Sequence, residues 1–270
     1  MERLSVCETT TYRWSFEEDV QNYVSAGFQG IGVWRQKLSD FGEEKGAELL
    51  RDSGLKVSSV LWAGGFTGSD GRSYKDSVAD AKEAVQLASS LDATCLVVYT
   101  GGRAGHTHNH ARRLIKGAFK ELLPVAADAN VTLAVEPMHI GCAAEWTMLT
   151  DLDETLEIIA AADSADLKLV FDTYHLAQDV AIIDRIPELV PRIGLVQLGD
   201  AKQPPNGEQN RCLLGDGVIP LSEIIATLDQ NGYEGCYEIE LMGEEVENVE
   251  YGELIAKSKH AVYEMLAAKQ

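Results

Sequence analysis

The alternation of strand-like and helix-like segments constrains this chain more than any other feature. Eight short runs rich in β-branched and aromatic residues are each followed by a segment in which apolar residues recur at helical spacing. The runs begin near Leu4, Gly30, Lys56, Cys95, Leu133, Lys168, Ile193 and Tyr237. Regular alternation of this kind predicts a parallel sheet covered by helices. Eight units close into an α/β fold of the (β/α)8 TIM-barrel type, whose typical length is about 250 residues.

We expect residues 1–270 to form one barrel domain. No linker, composition break or low-complexity tract separates the eight units, and 45% of the residues are hydrophobic, which supplies a full core. An open, doubly wound sheet is the structural alternative. It is disfavoured because no G-x-G-x-x-G fingerprint follows the first strand and because polar residues gather at several different strand ends.

Capping residues give the predicted helix boundaries. Ser15 with Glu18, and Thr150 with Asp153, have the capping-box spacing that begins a helix. The other helices are expected over about residues 42–52, 75–91, 111–129, 180–189, 221–228 and 253–268.

Net charge excludes two classes of partner. The chain has 23 basic and 43 acidic residues, a formal charge of −20 at pH 7. Such a charge repels the phosphates of nucleic acids and the surfaces of anionic membranes. We therefore expect no nucleic-acid partner and no membrane partner.

Cysteine usage and the first residues predict a location. The five cysteines are widely spaced and contain no C-x-x-C pair, so no disulfide framework is indicated. The first residues lack the apolar segment of a signal peptide, and no apolar run approaches the length of about 18 residues that a membrane helix needs. We expect a reduced, cytoplasmic protein.

Four consecutive predicted strands end in oxygen-bearing side chains. These are Glu136, Asp172, Gln197 and Glu240. In a barrel the carboxyl ends of all strands meet at one rim, so the four side chains are expected to converge. Three carboxylates this close repel one another unless a cation lies between them. The set therefore predicts a site for a hard divalent ion, although a single acidic residue at a strand end more often caps a helix or pairs with arginine.

Two other groups of polar residues have plainer interpretations. Glu238 shares a strand face with Glu240 but lies deeper, which suits a residue that supports a ligand or forms a buried ion pair. His106, His108 and His110 alternate within a loop rich in Gly, Thr and Asn, and a solvated helix start explains them better than metal ligation.

The motifs together resemble the xylose isomerase-like TIM-barrel superfamily, and within it the sugar isomerase/epimerase branch. The motifs are Glu136-Pro-Met-His139, Asp172-Thr-Tyr-His175, Gln197-Leu-Gly-Asp200, Arg211 before Leu214-Gly-Asp-Gly217, and Gly232-Tyr-Glu-Gly235 leading to Glu240. The resemblance implies one divalent metal, Mn²⁺ above Mg²⁺, Co²⁺ or Zn²⁺. Its ligands would be Glu136, Asp172, Gln197 and Glu240. Gln197 departs from the family pattern, in which histidine is commoner at that position.

The resemblance also implies chemistry. Glu136 and Glu240 would act as acid and base in proton transfer through a cis-enediolate on a ketose or hydroxyketone, and His139 is an additional candidate base. His175 and Arg211 match residues that hold substrate oxygens. Asp200, Trp62 and His106 complete the expected carbohydrate-binding set. Family members are often oligomers, so a homo-oligomer is expected.

Three other functions are considered. The Glu-Pro-Met-His pattern also resembles barrel subunits of lyases that act on 3-keto sugars or C-glycosides, and such an enzyme would need a small partner subunit. A non-catalytic sugar-binding barrel is a second alternative. An apurinic endonuclease of the same superfamily would need three zinc ions and a basic surface, which the charge of −20 disfavours.

Overall fold

The eight predicted strands form a closed parallel barrel. The computed structural model describes residues 3–179 and 181–267. The strands are β1 Leu4–Cys7, β2 Gly30–Trp34, β3 Lys56–Gly64, β4 Cys95–Tyr99, β5 Thr132–Val135, β6 Leu167–Asp172, β7 Ile193–Leu198 and β8 Tyr237–Ile239. Each strand pairs with its neighbours in chain order, and β8 pairs with β1. The predicted (β/α)8 barrel is confirmed, and closure leaves no strand edge unpaired.

Helices follow the strands around the outside of the barrel. They are α1 Phe16–Ser25, α2 Arg35–Phe41, α3 Glu43–Ser53, α4 Tyr74–Ser90, α5 His108–Ala129, α6 Leu152–Ala162, α7 Thr173–Leu176, α8 Ile182–Leu189, α9 Leu221–Gln230, α10 Glu244–Glu247 and α11 Tyr251–Ala267. The expected boundaries at Val180 and Ala268 lie outside the described residues. The short helices α2, α7 and α10 were not predicted, because fewer than about eight residues give too little periodic signal.

The two capping predictions have different outcomes. Ser15 accepts the backbone N–H of Glu18, whose carboxylate accepts the N–H of Ser15, so the first capping box is confirmed. The second is wrong by one residue. Asp151, not Thr150, caps α6 by accepting the N–H of Glu154 at 2.8 Å. Adjacent Thr and Asp both make good caps, so the sequence pattern alone leaves the register open.

Apolar side chains fill two regions of the barrel. A large cluster lies between the strands and the helices, and a smaller one is built from alternate strand residues such as Leu61, Val97 and Val170. Alternate residues of a strand point to opposite faces, which places the smaller cluster inside the barrel. All five cysteines are free thiols. Within the described ranges, every helix is too short or too polar to cross a bilayer.

Candidate active site at the carboxyl end of the barrel

The four oxygen donors singled out in the sequence lie at the carboxyl-terminal rim. Glu136 follows β5, Asp172 ends β6, Gln197 lies near the end of β7 and Glu240 follows β8. Each is at most 2% exposed. The strand register sets Asp172 beside Gln197. The parallel topology thus brings together four side chains that are up to about a hundred residues apart in the chain.

This site contains unpaired acceptors. Oε2 of Glu136 and Oε1 of Gln197 are buried and have no hydrogen-bond partner among the residues that the structure describes. A buried acceptor without a partner costs roughly 1–3 kcal/mol. Ligand atoms of Glu136, Asp172 and His175 also lie within 4.8 Å of one another. The unpaired oxygens of Glu136 and Gln197, together with the nearby carboxylate of Asp172, suit a hard divalent cation.

Arg211 already supplies one positive charge to these carboxylates. Its Nη2 lies 2.8 Å from Oδ2 of Asp172 and 3.3 Å from Oε2 of Glu240. The guanidinium carbon lies 4.4 Å from the centre of the Tyr174 ring, and the side chain is 1% exposed. One arginine cannot neutralise the carboxylates of Glu136, Asp172 and Glu240 when all three are ionised. An ion bound by the predicted ligands would share Asp172 and Glu240 with Arg211.

The environment gives the three carboxyl groups different protonation behaviour. Burial, and then the charges of Asp172 and Glu240, raise the pKa of Glu136 well above its usual value. Burial raises the pKa of Glu240 to about 7, although Arg211 opposes the shift. Burial acts most strongly, to raise the pKa of Asp172, but Arg211, His175 and the backbone N–H of Tyr174 together outweigh it and the net shift is downward. Asp172 is therefore a permanent anion, while the two glutamates are suited to carry protons.

Glu238 holds the Gln197 side chain. The Gln197 amide nitrogen donates to Oε1 of Glu238 at 3.2 Å, which leaves the amide oxygen free. The hydroxyls of Ser58 and Ser59 donate to Oε2 of Glu238 at 2.6 and 2.8 Å. Glu238 thus has hydroxyl and amide partners, and within residues 3–179 and 181–267 it does not form the buried ion pair that the sequence left open.

Hydrogen bonds define the tautomer of His175. The backbone N–H of His139 donates to Nδ1 of His175 at 3.3 Å. A neutral imidazole whose Nδ1 accepts must carry its proton on Nε2. Burial lowers the pKa of His175 to about 3, so the ring is neutral. Proximity alone groups His175 with the metal ligands, but the Nε2–H makes it a donor 3.6 Å from Oε1 of Glu136. The hydrogen bond decides the tautomer, because a backbone N–H can only donate.

His139, the additional candidate base, has a similar constraint. Its Nδ1 accepts the backbone N–H of Gly141 at 3.1 Å, so the neutral ring carries its proton on Nε2. Burial lowers the pKa of His139, which favours that neutral form. In this geometry His139 is a hydrogen-bond donor and lacks the free nitrogen lone pair that a base needs.

Asp200 anchors a loop. Its carboxylate accepts backbone N–H groups at 2.8 to 3.2 Å from Ala201, Gly215, Gly217 and Ile219. A Cβ at Gly217 would lie 2.0 Å from Oδ1 of Asp200, so only glycine permits this approach. The anchored loop carries Arg211 to the site. The expected contact of Asp200 with a carbohydrate stays a prediction.

The last two expected carbohydrate-binding residues lie on β3 and on the loop after β4. Trp62, near the end of β3, packs against Tyr99 and Trp146 with ring centres 5.5 and 5.2 Å apart. Nε2 of His106 lies 3.0 Å from the carbonyl of Thr67, which joins the loops that follow β4 and β3. Carbohydrate contacts by either residue stay predictions.

The rest of the histidine trio makes no metal site among the residues the structure describes. His108 pairs with Glu154 at 3.1 Å, and the His110 ring lies 4.8 Å from that of His106.

Sequence reasoning missed three neighbours of the charged groups. Thr9 Oγ1 donates to Oε1 of Glu240 at 3.2 Å, the Tyr174 ring packs against Arg211, and Tyr99 lies beside Glu136. A signal existed for each residue. Tyr99 ends β4 and Thr9 follows β1, and Tyr174 lies within the Asp-Thr-Tyr-His motif.

Comparison with known proteins identifies the family. Residues 20–262 match the family described as xylose isomerase-like TIM barrel. The chain belongs to this family. The resemblance drawn from the sequence motifs is thereby confirmed. A solved structure of protein SMc04130 from Sinorhizobium meliloti 1021 has a TM-score of 0.88 at 26% identity, over 98% of both chains. The IolI protein with a bound zinc atom has a TM-score of 0.85 at 17% identity, also over 98% of both chains.

Curated relatives of this xylose isomerase-like barrel match a smaller share of the chain. D-psicose 3-epimerase of Enterocloster bolteae is 27% identical over 118 residues, which cover 43% of this chain and 36% of the relative. Inosose isomerase of Halalkalibacterium halodurans is 23% identical over 208 residues, which cover 75% of this chain and 72% of the relative. The match therefore spans about a third of the epimerase and nearly three quarters of the isomerase.

The His175 tautomer predicts a spectroscopic result. In the metal-free protein the ¹⁵N signals of this ring should show a protonated Nε2 and an unprotonated Nδ1. They should not change between about pH 5 and 8, because a pKa of about 3 lies below that range. The variant His175→Gln identifies the signals by their loss. A proton on Nδ1, or titration within that range, would contradict the assignment.

The raised pKa of Glu240 predicts how the stability of the metal-free protein depends on pH. Folded Glu240 titrates at about 7 rather than 4.5, so the folded state binds more protons than the unfolded state between those values. Stability should fall as pH rises through this window. Glu240→Gln should remove roughly 3 kcal/mol of that loss in urea unfolding with a chelator present.

The control for this measurement is Glu44→Gln, an exposed substitution on α3. Glu136 also has a raised pKa and acts in the same direction, so the comparison of variants isolates Glu240. Equal pH dependence of stability in wild type and Glu240→Gln would disprove the assignment.

Proposed function

We propose that this chain is a divalent-metal-dependent isomerase or epimerase that acts on a ketose or hydroxyketone. The observation that carries the proposal is the buried cluster of Glu136, Asp172, Gln197 and Glu240, in which two oxygens have no protein partner. The names of the relatives D-psicose 3-epimerase and inosose isomerase support this class of reaction. A full set of metal ligands, with unpaired oxygens on Glu136 and Gln197, would be superfluous in a non-catalytic sugar-binding barrel.

Glu136, Asp172, Gln197 and Glu240 would hold the ion. Three carboxylates and an amide oxygen are hard donors, so we propose Mn²⁺ first, with Mg²⁺, Co²⁺ or Zn²⁺ as other candidates. The zinc atom in the IolI structure supports the idea that this architecture accommodates a divalent ion. The chemistry that such an ion supplies when bound is polarisation of a substrate carbonyl, which acidifies the neighbouring C–H.

The two glutamates would move the protons. The pKa of Glu240 is raised to about 7 in the metal-free protein, and a bound divalent ion would lower it, which would leave the carboxylate ionised and able to accept a proton. Glu136 extends from β5, and two strands separate β5 from β8 around the barrel. One carboxylate removes the proton on the carbon next to the carbonyl to give a cis-enediolate. Return of a proton to the opposite face of the same carbon epimerises the sugar, and return to the neighbouring carbon isomerises it.

His175 and Arg211 would stabilise the negative charge that develops on the substrate oxygens. His175 presents an Nε2–H that lacks an acceptor within hydrogen-bond distance. Arg211 is a buried cation held rigidly by Asp172 and by the Tyr174 ring. Donors fixed in place before the reaction stabilise an oxyanion without reorganising.

Solvent deuterium exchange tests the proposed function. The purified protein should contain one divalent metal per chain by elemental analysis, and with manganese it should exchange deuterium into a carbon next to the carbonyl of a ketose. Glu240→Gln should lower the exchange rate by a factor of about 10² or more, because the proton carrier is lost.

Two controls accompany the exchange assay. Glu44→Gln, an exposed substitution on α3, should exchange deuterium at the wild-type rate. Circular dichroism should show that Glu240→Gln remains folded. Retained exchange in Glu240→Gln would remove Glu240 from its role, and the absence of metal and exchange in wild type would reject the proposal.

A lyase acting on 3-keto sugars is the second candidate. The observation that favours it is the donor form of His139, since an elimination needs a donor beside the leaving group. The backbone N–H of His139 contacts His175, which places the residue at the edge of the site.

Replacement of His139 separates the two candidates. His139→Ala should change deuterium exchange by less than about threefold in an epimerase, because His139 is not the proton carrier. In a lyase, the same change should lower product release from a 3-keto glycoside by about 10² or more. Chromatography of the released group measures the second outcome.

A further inference from the structure

Four aromatic side chains lie together at the carboxyl ends of β2, β3 and β4 and in the loop after β5. The rings of Trp34 and Trp62 stack with centres 6.2 Å apart and planes at 15°. Trp62 and Tyr99 each meet Trp146 edge to face, at 5.2 and 5.7 Å. Trp146 is 37% exposed, so the group reaches the surface. An aromatic surface on the rim of a barrel is a binding surface for flat apolar groups.

A cavity of about 660 Å³ opens against these rings. Trp62, Tyr99 and Trp146 line it, and the backbone of two glycine-rich loops forms much of the remaining wall. A Cβ at Gly64 would lie 1.7 Å from the carbonyl oxygen of Tyr99, so this close approach of β3 and β4 requires glycine. The volume is typical of a ligand pocket, for which the range is about 300–1,000 Å³.

Tyr99 connects this cavity with the catalytic site. Its ring forms part of the cavity wall. Val98 pairs with Val135, and the backbone N–H of Glu136 donates to the carbonyl of Val98 at 3.3 Å, so Tyr99 and Glu136 are neighbours at the rim. A ligand whose reacting carbon lies at the two glutamates can therefore extend past Tyr99 to the two tryptophans.

The charges around the cavity disfavour an anionic ligand. Among the described residues that line it, Arg72 is the only cation, and Asp70 and Glu145 are acidic. Arg72 is already paired with Asp70 at 2.7 Å and with Asp80 at 3.0 Å, and it also donates to the carbonyl of Gly64. A phosphate would find no unpaired positive charge here and would be repelled by the carboxylates.

We propose that the cavity binds the aglycone of an uncharged glycoside whose keto sugar lies at Glu136 and Glu240. The aglycone presents a flat apolar face to Trp62 and Trp146, as an aromatic ring or the C–H face of a second sugar does. This proposal rests on the proposed function and names its substrate class. It separates this chain from enzymes for free or phosphorylated ketoses.

Calorimetric titration with matched probes tests the cavity without requiring turnover. Phenyl β-D-glucopyranoside, methyl β-D-glucopyranoside and phenyl phosphate are titrated into the full chain with manganese present. The phenyl glucoside should bind about tenfold more tightly than the methyl glucoside, because its ring contacts the aromatic surface. It should also bind more tightly than phenyl phosphate, because the cavity lining repels a dianion.

Two tryptophan variants supply the internal comparison. Trp146→Ala should reduce the preference for the phenyl glucoside to about twofold or less. Trp14→Phe should retain it, since Trp14 packs on Tyr251, outside the cavity. Trp62→Phe keeps an aromatic ring at that position and should retain most of the preference for the phenyl glucoside. Retention in this variant would show that the loss of preference in Trp146→Ala reflects the loss of a ring.

The outcomes distinguish this proposal from the proposed function. Equal binding of phenyl and methyl glucosides, an unchanged preference in Trp146→Ala, or tighter binding of phenyl phosphate would overturn the aglycone assignment even if ketoses exchange deuterium. Tighter binding of the phenyl glucoside that depends on Trp146 would support the assignment. If no keto sugar then exchanged deuterium, the proposed isomerase or epimerase function would be rejected. The assignment of the cavity to an apolar aglycone would still stand.

Discussion

The ion pairs between Arg211 and the carboxylates of Asp172 and Glu240 are the interactions on which the rest of the site depends. All three groups are almost completely buried, and removal of one partner from a buried pair costs about 3–5 kcal/mol. These pairs help to lower the pKa of Asp172, which keeps it ionised. They oppose the effect of burial on Glu240, whose pKa is about 7. They also hold the loop after β7 against the barrel. The carboxylate of Asp200 accepts hydrogen bonds from backbone N–H groups of the same loop. The same two ion pairs therefore compensate the buried carboxylates and fix the position of the loop.

Much of the fold and the centre of the site could be predicted from the sequence, because both follow from simple periodicities. A parallel barrel carries every strand end to one rim, so a side chain just after a strand needs no tertiary information to be placed there. Glu136, Asp172, Gln197 and Glu240 were found in this way, and the Ser15 capping box depended only on residues three apart.

The remainder depends on contacts between residues that are distant in sequence. The His175 tautomer is determined by the backbone N–H of His139, and the partners of Arg211 lie on two other strands. The backbone amides that surround the Asp200 carboxylate include those of glycines up to 17 residues later, which the residue type of Asp200 does not indicate. Sequence motifs indicate only the types of side chain that are present. The tautomer of His175 and the partners of Arg211 and Asp200 depend on loop conformation and on backbone N–H donors.

Closure of the barrel gives the site one more property. The contact between Thr9 and Glu240 joins residues 231 positions apart, and it exists only because β1 pairs with β8. During synthesis on the ribosome, the emerging chain therefore carries Glu136, Asp172 and Arg211 before Glu240 is added. The rim with all four oxygen donors exists only in the closed barrel, so it needs both ends of the sequence.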